Sequence, residues 1–438
     1  MDNIVIIADD LTGAADTAVQ FCPFFDDTRL VSYQLMDRIL EPALHSSSRA
    51  TALFTNSRAL ATDAANHCLV SVAKGLAREK SAWIYKKIDS CMRGNVGSEV
   101  DALLDELNYE VSFITPAFPE MGRTTHEDIH LVHGIPLSQS EISRDPITPV
   151  KESRLSLIVQ SQSRHSVGHV GLNFLGGSQN HLIEEVERQL LKGVRHIVFD
   201  ATYRDHLDRI AELIFLLEHK ILPVGSAGLA GSIAKRLTSK PASDGPEMIF
   251  APEGFNLLVC GTTSAVTGQQ IDKLLESYPY EVIQLNPMLL ADQNRKDEFS
   301  ETASSARSGL LNKNVILTIK SQQNSRNTPR QTNLQPAADS IVRGLGLFVA
   351  EVAAAAKPGH LFLTGGDTAD AVLTAIEAEG IRILGEVVAG VVQGAIMGGL
   401  LDGLPVVTKA GAFGQKDTLV VLHEFWQGLC KGSEVQEV

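Results

Sequence analysis

The first apolar run of this chain, IVIIA (4–8), ends in two consecutive carboxylates, Asp9 and Asp10, before Leu-Thr-Gly-Ala. The run reads as a buried strand, and ligands of open α/β sheets bind at the carboxyl ends of strands. One aspartate is enough to cap the helix that follows. The other is then free to bind a hydroxyl or take its proton, and the expectation is that Asp10 makes that contact. A second run, AWIYKKI (82–88), closes in Lys86, Lys87, Ile88 and Asp89 and leads on to Arg93. Three cations and one carboxylate within eight residues suit a small ligand with one carboxylate and several hydroxyls. A solvated strand end laced with ion pairs would have the same composition. Arg58, after the run TALFTN (51–56), adds one charge at a third strand end.

Three small-residue loops follow apolar runs in the second half. They are Gly261-Thr262-Thr263-Ser264, the loop Gly365-Gly366-Asp367-Thr368 after Thr364, and Gly411-Ala412-Phe413-Gly414 after Lys409 and Ala410. Glycine lets backbone N–H groups approach phosphate oxygens, and a helix N-terminus adds a favourable dipole. Three such loops in one half point to a nucleotide phosphate. No Gly-Lys dipeptide occurs, so the G-x-x-x-x-G-K-[ST] loop is absent, and no strand leads into G-x-G-x-x-G. His126-Glu127-Asp128-Ile129-His130 formally matches the zinc motif H-E-x-x-H, but Gly122 and Gly134-Ile135-Pro136 bracket it too closely for a stable helix. Zinc is expected to play no part. Gly122-Arg123-Thr124-Thr125 beside it has the composition of an anion contact.

The elements behind these residues alternate between short β-rich runs and helical patterns. The fold class expected is therefore α/β, two domains, each a largely parallel sheet with flanking helices. The predicted division is a substrate-binding domain over 1–237, a Pro/Ser/Gly-rich linker over 238–255 and an ATP-binding domain over 256–438. Residues 321–333 are polar, unpatterned and expected to form a loop. The length of 438 residues itself favours two cores. With 38 Lys+Arg against 52 Asp+Glu the formal charge is −14, which disfavours nucleic acid and anionic membrane as partners. Five scattered cysteines contain no C-x-x-C pair. The longest apolar stretch, 387–401, is shorter than a bilayer span, and Met-Asp-Asn before the first strand has no basic n-region or cleavage site, so no signal sequence is expected. The expectation is a cytoplasmic protein, with a homo-oligomer left open.

Taken together, IADDLTGAADTA, KKIDSCMRGNVGSE, TPAFPEMGRTT, HGIPLSQSEISRDPITPVKES, VGSAGLA, TGGDTA and GLPVVTKAGAFGQKDTL resemble the four-carbon acid sugar kinases, in order, from about residue 3 to residue 425. The resemblance implies phosphorylation of the 4-hydroxyl of D-threonate, D-erythronate or 3-oxotetronate, with ATP and Mg²⁺ as cofactors. It implies substrate positions at Asp9 or Asp10, Arg58 and Lys86 to Asp89. It implies nucleotide positions at Ser264, Gly365 to Thr368 and Gly411 to Gly414. Asp367 is the candidate for assisting Mg²⁺. The family's Thr-Leu-Arg-Gly is Cys91-Met92-Arg93-Gly94 here, its Gly-Ser-x-Ser turn is Gly261-Thr262-Thr263-Ser264, and the Pro often found before Gly390 is Ala389. No departure removes a charged group. A NAD(P)-dependent oxidoreductase and a non-catalytic effector are the readings from other classes.

Overall fold

The computed structural model describes residues 3–36, 48–77, 82–145, 147–238, 254–262, 264–292, 295–319 and 334–429, with side chains in the last segment from residue 338. The predicted loop 321–333, nearly all of the predicted linker, Thr263 and Cys430 lie outside the described residues. The chain divides into two compact units, Met1–Ser243 and Asp244–Val438.

Among its described residues the first unit is built on eight parallel strands. In chain order the strands are β1 (Asn3–Ala8), β2 (Asp27–Ser32), β3 (Arg49–Phe54), β4 (Ala82–Lys87) and β5 (Val111–Thr115). After a small separate sheet come β9 (Val167–Val170), β10 (His196–Phe199) and β11 (Ile221–Gly225). Their spatial order is β2-β3-β1-β4-β11-β5-β10-β9. Ile4 to Ala8 are all buried, as expected where helices cover both faces of a parallel sheet and the strand reads as an unbroken apolar run. The chain leaves β1 towards β2 and β3 on one side, whereas the connection out of β4 runs the other way. The carboxyl ends of β1 and β4 therefore flank a topological switch point, where such sheets hold ligands. The register pairs Ala8 with Lys87, which brings Asp9-Asp10 and Ile88-Asp89 side by side.

The small sheet is antiparallel: β6 (Arg123–His126), β7 (Ile129–Val132) and β8 (Ile135–Pro136). It contains the whole H-E-x-x-H segment. Glu127 and Asp128 form the two-residue turn, both at positive φ (50° and 67°), as a type I′ hairpin requires. Asp200 holds the turn by accepting from both backbone N–H groups, at 2.7 and 3.0 Å.

The second unit has β12 (Leu257–Cys260), β13 (Tyr280–Leu285), β14 (Asn314–Ile319), β15 (Leu361–Thr364), β16 (Gly380–Val388), β17 (Val391–Met397) and β18 (Pro405–Lys409). The order is β13-β14-β12-β15-β18-β17-β16, parallel as far as β18 and antiparallel beyond it. The apolar stretch at 387–401 holds the β16–β17 turn, with Gly390 at φ +76° supplying the left-handed residue. Among the described residues no helix is long and apolar enough to cross a membrane. The strands β12, β15 and β18 are consecutive neighbours, so the three glycine loops emerge along one edge of the sheet.

Candidate active site

At the β1 end, the two aspartates have different tasks. Asp10 is the N-cap of the helix Leu11–Ala18: Gly13 N–H donates to Oδ1 at 3.1 Å and the Thr12 hydroxyl to Oδ2 at 2.7 Å. The reading that left Asp10 free of capping is thus corrected, because its extended backbone points the carboxylate back over the helix's first turn. Asp9 is buried in a two-point pair with Arg58, which donates from Nε to Oδ2 (2.8 Å) and from Nη2 to Oδ1 (2.9 Å). Nη2 also reaches Asp10 Oδ1 at 2.6 Å. Burial acts to raise the Asp9 carboxyl, and Arg58, Lys86 and Lys87 outweigh it, leaving it below the usual range. Arg58 can approach because Gly94, at φ +92°, has no side chain; a Cβ there would sit 3.3 Å from Asp9 Oδ2 and from Arg58 Cγ.

At the β4 end, alternation separates the neighbouring lysines. Lys86 is fully buried, its ammonium 2.6 Å from Glu99 Oε2 and donating to the Lys87 carbonyl at 3.0 Å. Glu99 also accepts from Ser57 Oγ, which bonds Thr55 Oγ1 at 2.7 Å. Lys86, expected among the substrate residues, belongs to this interior network. Ile88 is likewise buried, its N–H donated to the Gly225 carbonyl. Lys87 is only 4% exposed, yet its ammonium makes no hydrogen bond and no ion pair with any described residue. It lies against the first turn of the helix after β1, where a Cβ on Gly13 would be 2.7 Å from Nζ.

Asp89 is bound at two points by Arg93, through Nε (2.9 Å) and Nη2 (2.8 Å), and accepts the N–H of Cys91. Burial pushes its carboxyl up, and Arg93 and Arg58 pull it well below the ordinary carboxylate range. The structure therefore brings Asp9, Asp10, Arg58, Lys87, Asp89 and Arg93 into one cluster. A cavity of about 370 Å³ opens beside it, walled by Arg58, Gly94, Asn95, Pro149 and Lys151, within the range of small-ligand sites. Asp16, half-buried on the same helix as Gly13, went unnoticed in the sequence; burial pushes its carboxyl up to about 6, against the pull of Lys87.

The hairpin disposes of the zinc motif by geometry. His126 pairs with Ile129 and Thr125 with His130, so the two histidines point to opposite faces of the ribbon. His130 is buried, donates from Nε2 to the Ser90 carbonyl (2.7 Å) and accepts from Thr125 Oγ1 at Nδ1 (2.9 Å). Burial lowers its imidazole to about 4, so the ring is neutral. Because Ser90 follows Asp89, His130 fixes the loop carrying the Asp89–Arg93 pair. Silence on substitution is expected of His126 alone. His130→Ala should lower stability by about 1–3 kcal/mol, the cost of leaving buried polar partners unmet, whereas His126→Ala should not move the melting temperature. Equal melting curves for the two variants would refute this.

In the second unit, the three loops touch one another. A Cβ on Gly261 would lie 2.2 Å from Thr368 Oγ1, and one on Gly411 would lie 2.6 Å from Thr262 Oγ1. Gly365, at φ +96°, precedes the helix Gly366–Ala375, and its N–H donates to the Lys409 carbonyl. Ser264 is the N-cap residue of the helix Ala265–Ser277, without a side-chain capping bond. Gly414 (φ +88°) ends the third loop, and Phe413 packs over Gly390. Among the described residues the buried Thr364 hydroxyl has no partner, and the Gly411, Ala412 and Gly414 N–H groups form no hydrogen bond. Orphaned donors on glycine loops are what a triphosphate requires. Asp367 in the first turn of its helix is a single carboxylate, compatible with Mg²⁺ held mainly by phosphates and water.

One unit thus carries a cluster of carboxylates and cations beside a cavity, and the other three adjoining glycine loops at strand ends, an arrangement compatible with a two-domain small-molecule kinase. Family models described as a sugar-binding N-terminal domain and a nucleotide-binding C-terminal domain match residues 4–233 and 257–419. The chain belongs to the four-carbon acid sugar kinase family. It is 31% identical over 427 residues to a D-threonate kinase of Salmonella typhimurium, covering 95% of this chain and 96% of that one. It is 30% identical over 430 residues to a D-erythronate kinase of Heliobacterium modesticaldum, covering 95% of each. A 3-oxo-tetronate kinase of Actinobacillus succinogenes is 25% identical, covering 97% of this chain and 99% of that one. A solved Salmonella typhimurium structure shares the fold, with a TM-score of 0.78 at 20% identity, covering 97% of this chain and all of that one. Membership of this family sets aside the oxidoreductase and effector readings.

Proposed function

We propose that this protein transfers the γ-phosphoryl group of ATP to the 4-hydroxyl of a four-carbon acid sugar, with D-threonate or D-erythronate preferred over 3-oxotetronate. The observation carrying the reading is Lys87: a buried cation with no hydrogen-bond or ion-pair partner among the described residues, set among carboxylates and guanidinium groups already paired with one another. A substrate carboxylate completes it. Asp9, Asp10 and Asp89, oriented by Arg58 and Arg93, then accept hydrogen bonds from the hydroxyls. Phosphoryl transfer asks chiefly for such positioning and for charge neutralisation. Ser264, Gly365 to Thr368 and Gly411 to Gly414 would hold the nucleotide, with Asp367 towards Mg²⁺. Residues 1–237 would act as the substrate domain and 256–438 as the ATP domain, joined by 238–255. Soluble substrates and an acidic chain suit the cytoplasm.

A coupled ADP-release assay with D-threonate, D-erythronate, L-threonate and 3-oxotetronate tests the reading. ATP- and Mg²⁺-dependent turnover is expected with one of the first two acids. Absence of ADP release with all four rejects it.

A further inference from the structure

The third glycine loop lies over a buried charge. Lys409, the last residue of β18, is 1% exposed, and its ammonium donates to the carbonyls of Ala410 (2.9 Å) and Phe413 (3.1 Å), with Thr267 Oγ1 at 3.5 Å. Two side chains one turn apart on the helix Ala265–Ser277 hold the remaining carbonyls. Thr267 Oγ1 donates to Gly411 O at 2.8 Å, and Gln270 Nε2 donates to Phe413 O and Gln415 O at 3.0 and 2.9 Å. The carbonyls of 410, 411, 413 and 415 are therefore all drawn inward, while the N–H groups of Gly411, Ala412 and Gly414 bond no described residue. Phe413 N–H closes back on the Ala410 carbonyl, and neighbouring N–H groups left available in such a turn suit an anion.

Lys409 has no counter-ion: no carboxylate lies within ion-pair reach of it among the described residues. Strands β12, β15 and β17 and the helices Ala265–Ser277 and Thr418–Trp426 surround it. Of their titratable groups, only the Cys260 thiol acts on it, and burial pushes that thiol up to about 12, so it is neutral. A buried ammonium held by carbonyl dipoles alone is costly to desolvate, and a polyanion arriving on the far side of the loop offsets that cost.

We infer that Lys409 is the electropositive floor of the nucleotide site: with Thr267 and Gln270 it fixes the polarity of the loop 410–415, and its charge is neutralised by the phosphates of a bound nucleoside triphosphate. This makes it a positioning residue that touches the loop and not the ligand, and it rests on the nucleotide reading of the second unit. Burial lowers the ammonium to about 8, so it is charged at pH 7 and loses its charge as the pH rises to 9.5.

The test is calorimetric titration of ATP and AMP into the full-length protein and its Lys409→Met variant, at pH 7 and pH 9.5. Loss of one charge-assisted interaction should weaken ATP binding by roughly ten- to a hundred-fold at pH 7, with a smaller effect on AMP. Wild-type affinity for ATP should fall between pH 7 and 9.5, and the variant should show no such fall. A purely structural role would weaken both nucleotides alike and leave the pH dependence unchanged, which overturns the inference. If the variant does not fold, a flat wild-type pH dependence overturns it and a falling one supports it. Wild-type protein that binds no ATP at either pH removes the nucleotide reading itself, and this inference with it.

Discussion

Asp10→Asn is expected to cut kcat on D-threonate or D-erythronate by about 10²–10⁴-fold while leaving the melting temperature almost unchanged. Asp10 is the more open of the two aspartates, its side chain 18% exposed against 5% for Asp9. Its Oδ1 already takes Gly13 N–H and Arg58, but Oδ2 takes only the Thr12 hydroxyl, leaving an acceptor site for a substrate hydroxyl. Asparagine still caps, so the fold survives; alanine should show the same slow turnover and lose a further ~1 kcal/mol. Asp9→Asn should behave in the opposite way. The Asp9 carboxyl is held below its ordinary range in the folded protein, so the stability it lends is present above the unfolded aspartate range and lost as pH falls through the folded value. At neutral pH that variant should unfold at a lower temperature and retain more of its kcat. Full kcat in both Asn variants would move the base elsewhere. Asp16, pushed up to about 6, then precedes Asp89, whose carboxyl is held far too low by Arg93 and Arg58 to accept a proton well.

The parts of this site legible in the sequence were those a strand end announces locally. IVIIADD and AWIYKKID each show an apolar run stopping in charge, and the sheet order puts those two ends beside each other. The glycine loops were legible for the same reason, and the parallel order β12-β15-β18 aligns them. What escaped depends on distant partners. Strand alternation separates Lys86 from Lys87 but does not say which is held in the interior; that is decided by Glu99, on the helix Val96–Glu106, which reads as an ordinary solvated charge until it is found buried against Lys86. The hairpin at 123–132 carries no Gly or Asn at its turn, because Asp200, more than seventy residues on, holds Glu127 and Asp128 at positive φ. Strands β2 and β13 have no unbroken apolar run to announce them. The second, at the sheet edge, is half-buried to exposed apart from Leu285 and lacks a buried run. Lys409 looked like the charged end of a strand, and only the inward turn of the following carbonyls reveals its position.

The two lysines of β4 should separate cleanly on substitution by methionine, which keeps length and removes charge. Lys86→Met leaves the Glu99 carboxyl buried with the Ser57 hydroxyl but without its 2.6 Å ammonium partner. Breaking one side of a buried pair costs about 3–5 kcal/mol, so this variant should melt far earlier. Replacing both members with apolar residues, Lys86→Met with Glu99→Leu, should recover much of that loss, since the penalty belongs to the orphaned charge. Lys87→Met removes a cation that no described group pairs with, so no ion pair is broken and the melting temperature should hold. Its cost falls on binding: KM for the acid sugar should rise roughly ten- to a hundred-fold, the worth of one charge-assisted hydrogen bond. An acid sugar without its carboxylate, such as the corresponding tetritol, should bind wild type and Lys87→Met equally weakly, which ties the effect to the carboxylate. Steady-state kinetics and thermal melts on the same preparations decide the matter. A normal KM in Lys87→Met would remove Lys87 from the substrate site and leave Arg58 and Arg93, each already bound to an aspartate, as the groups that must read the carboxylate.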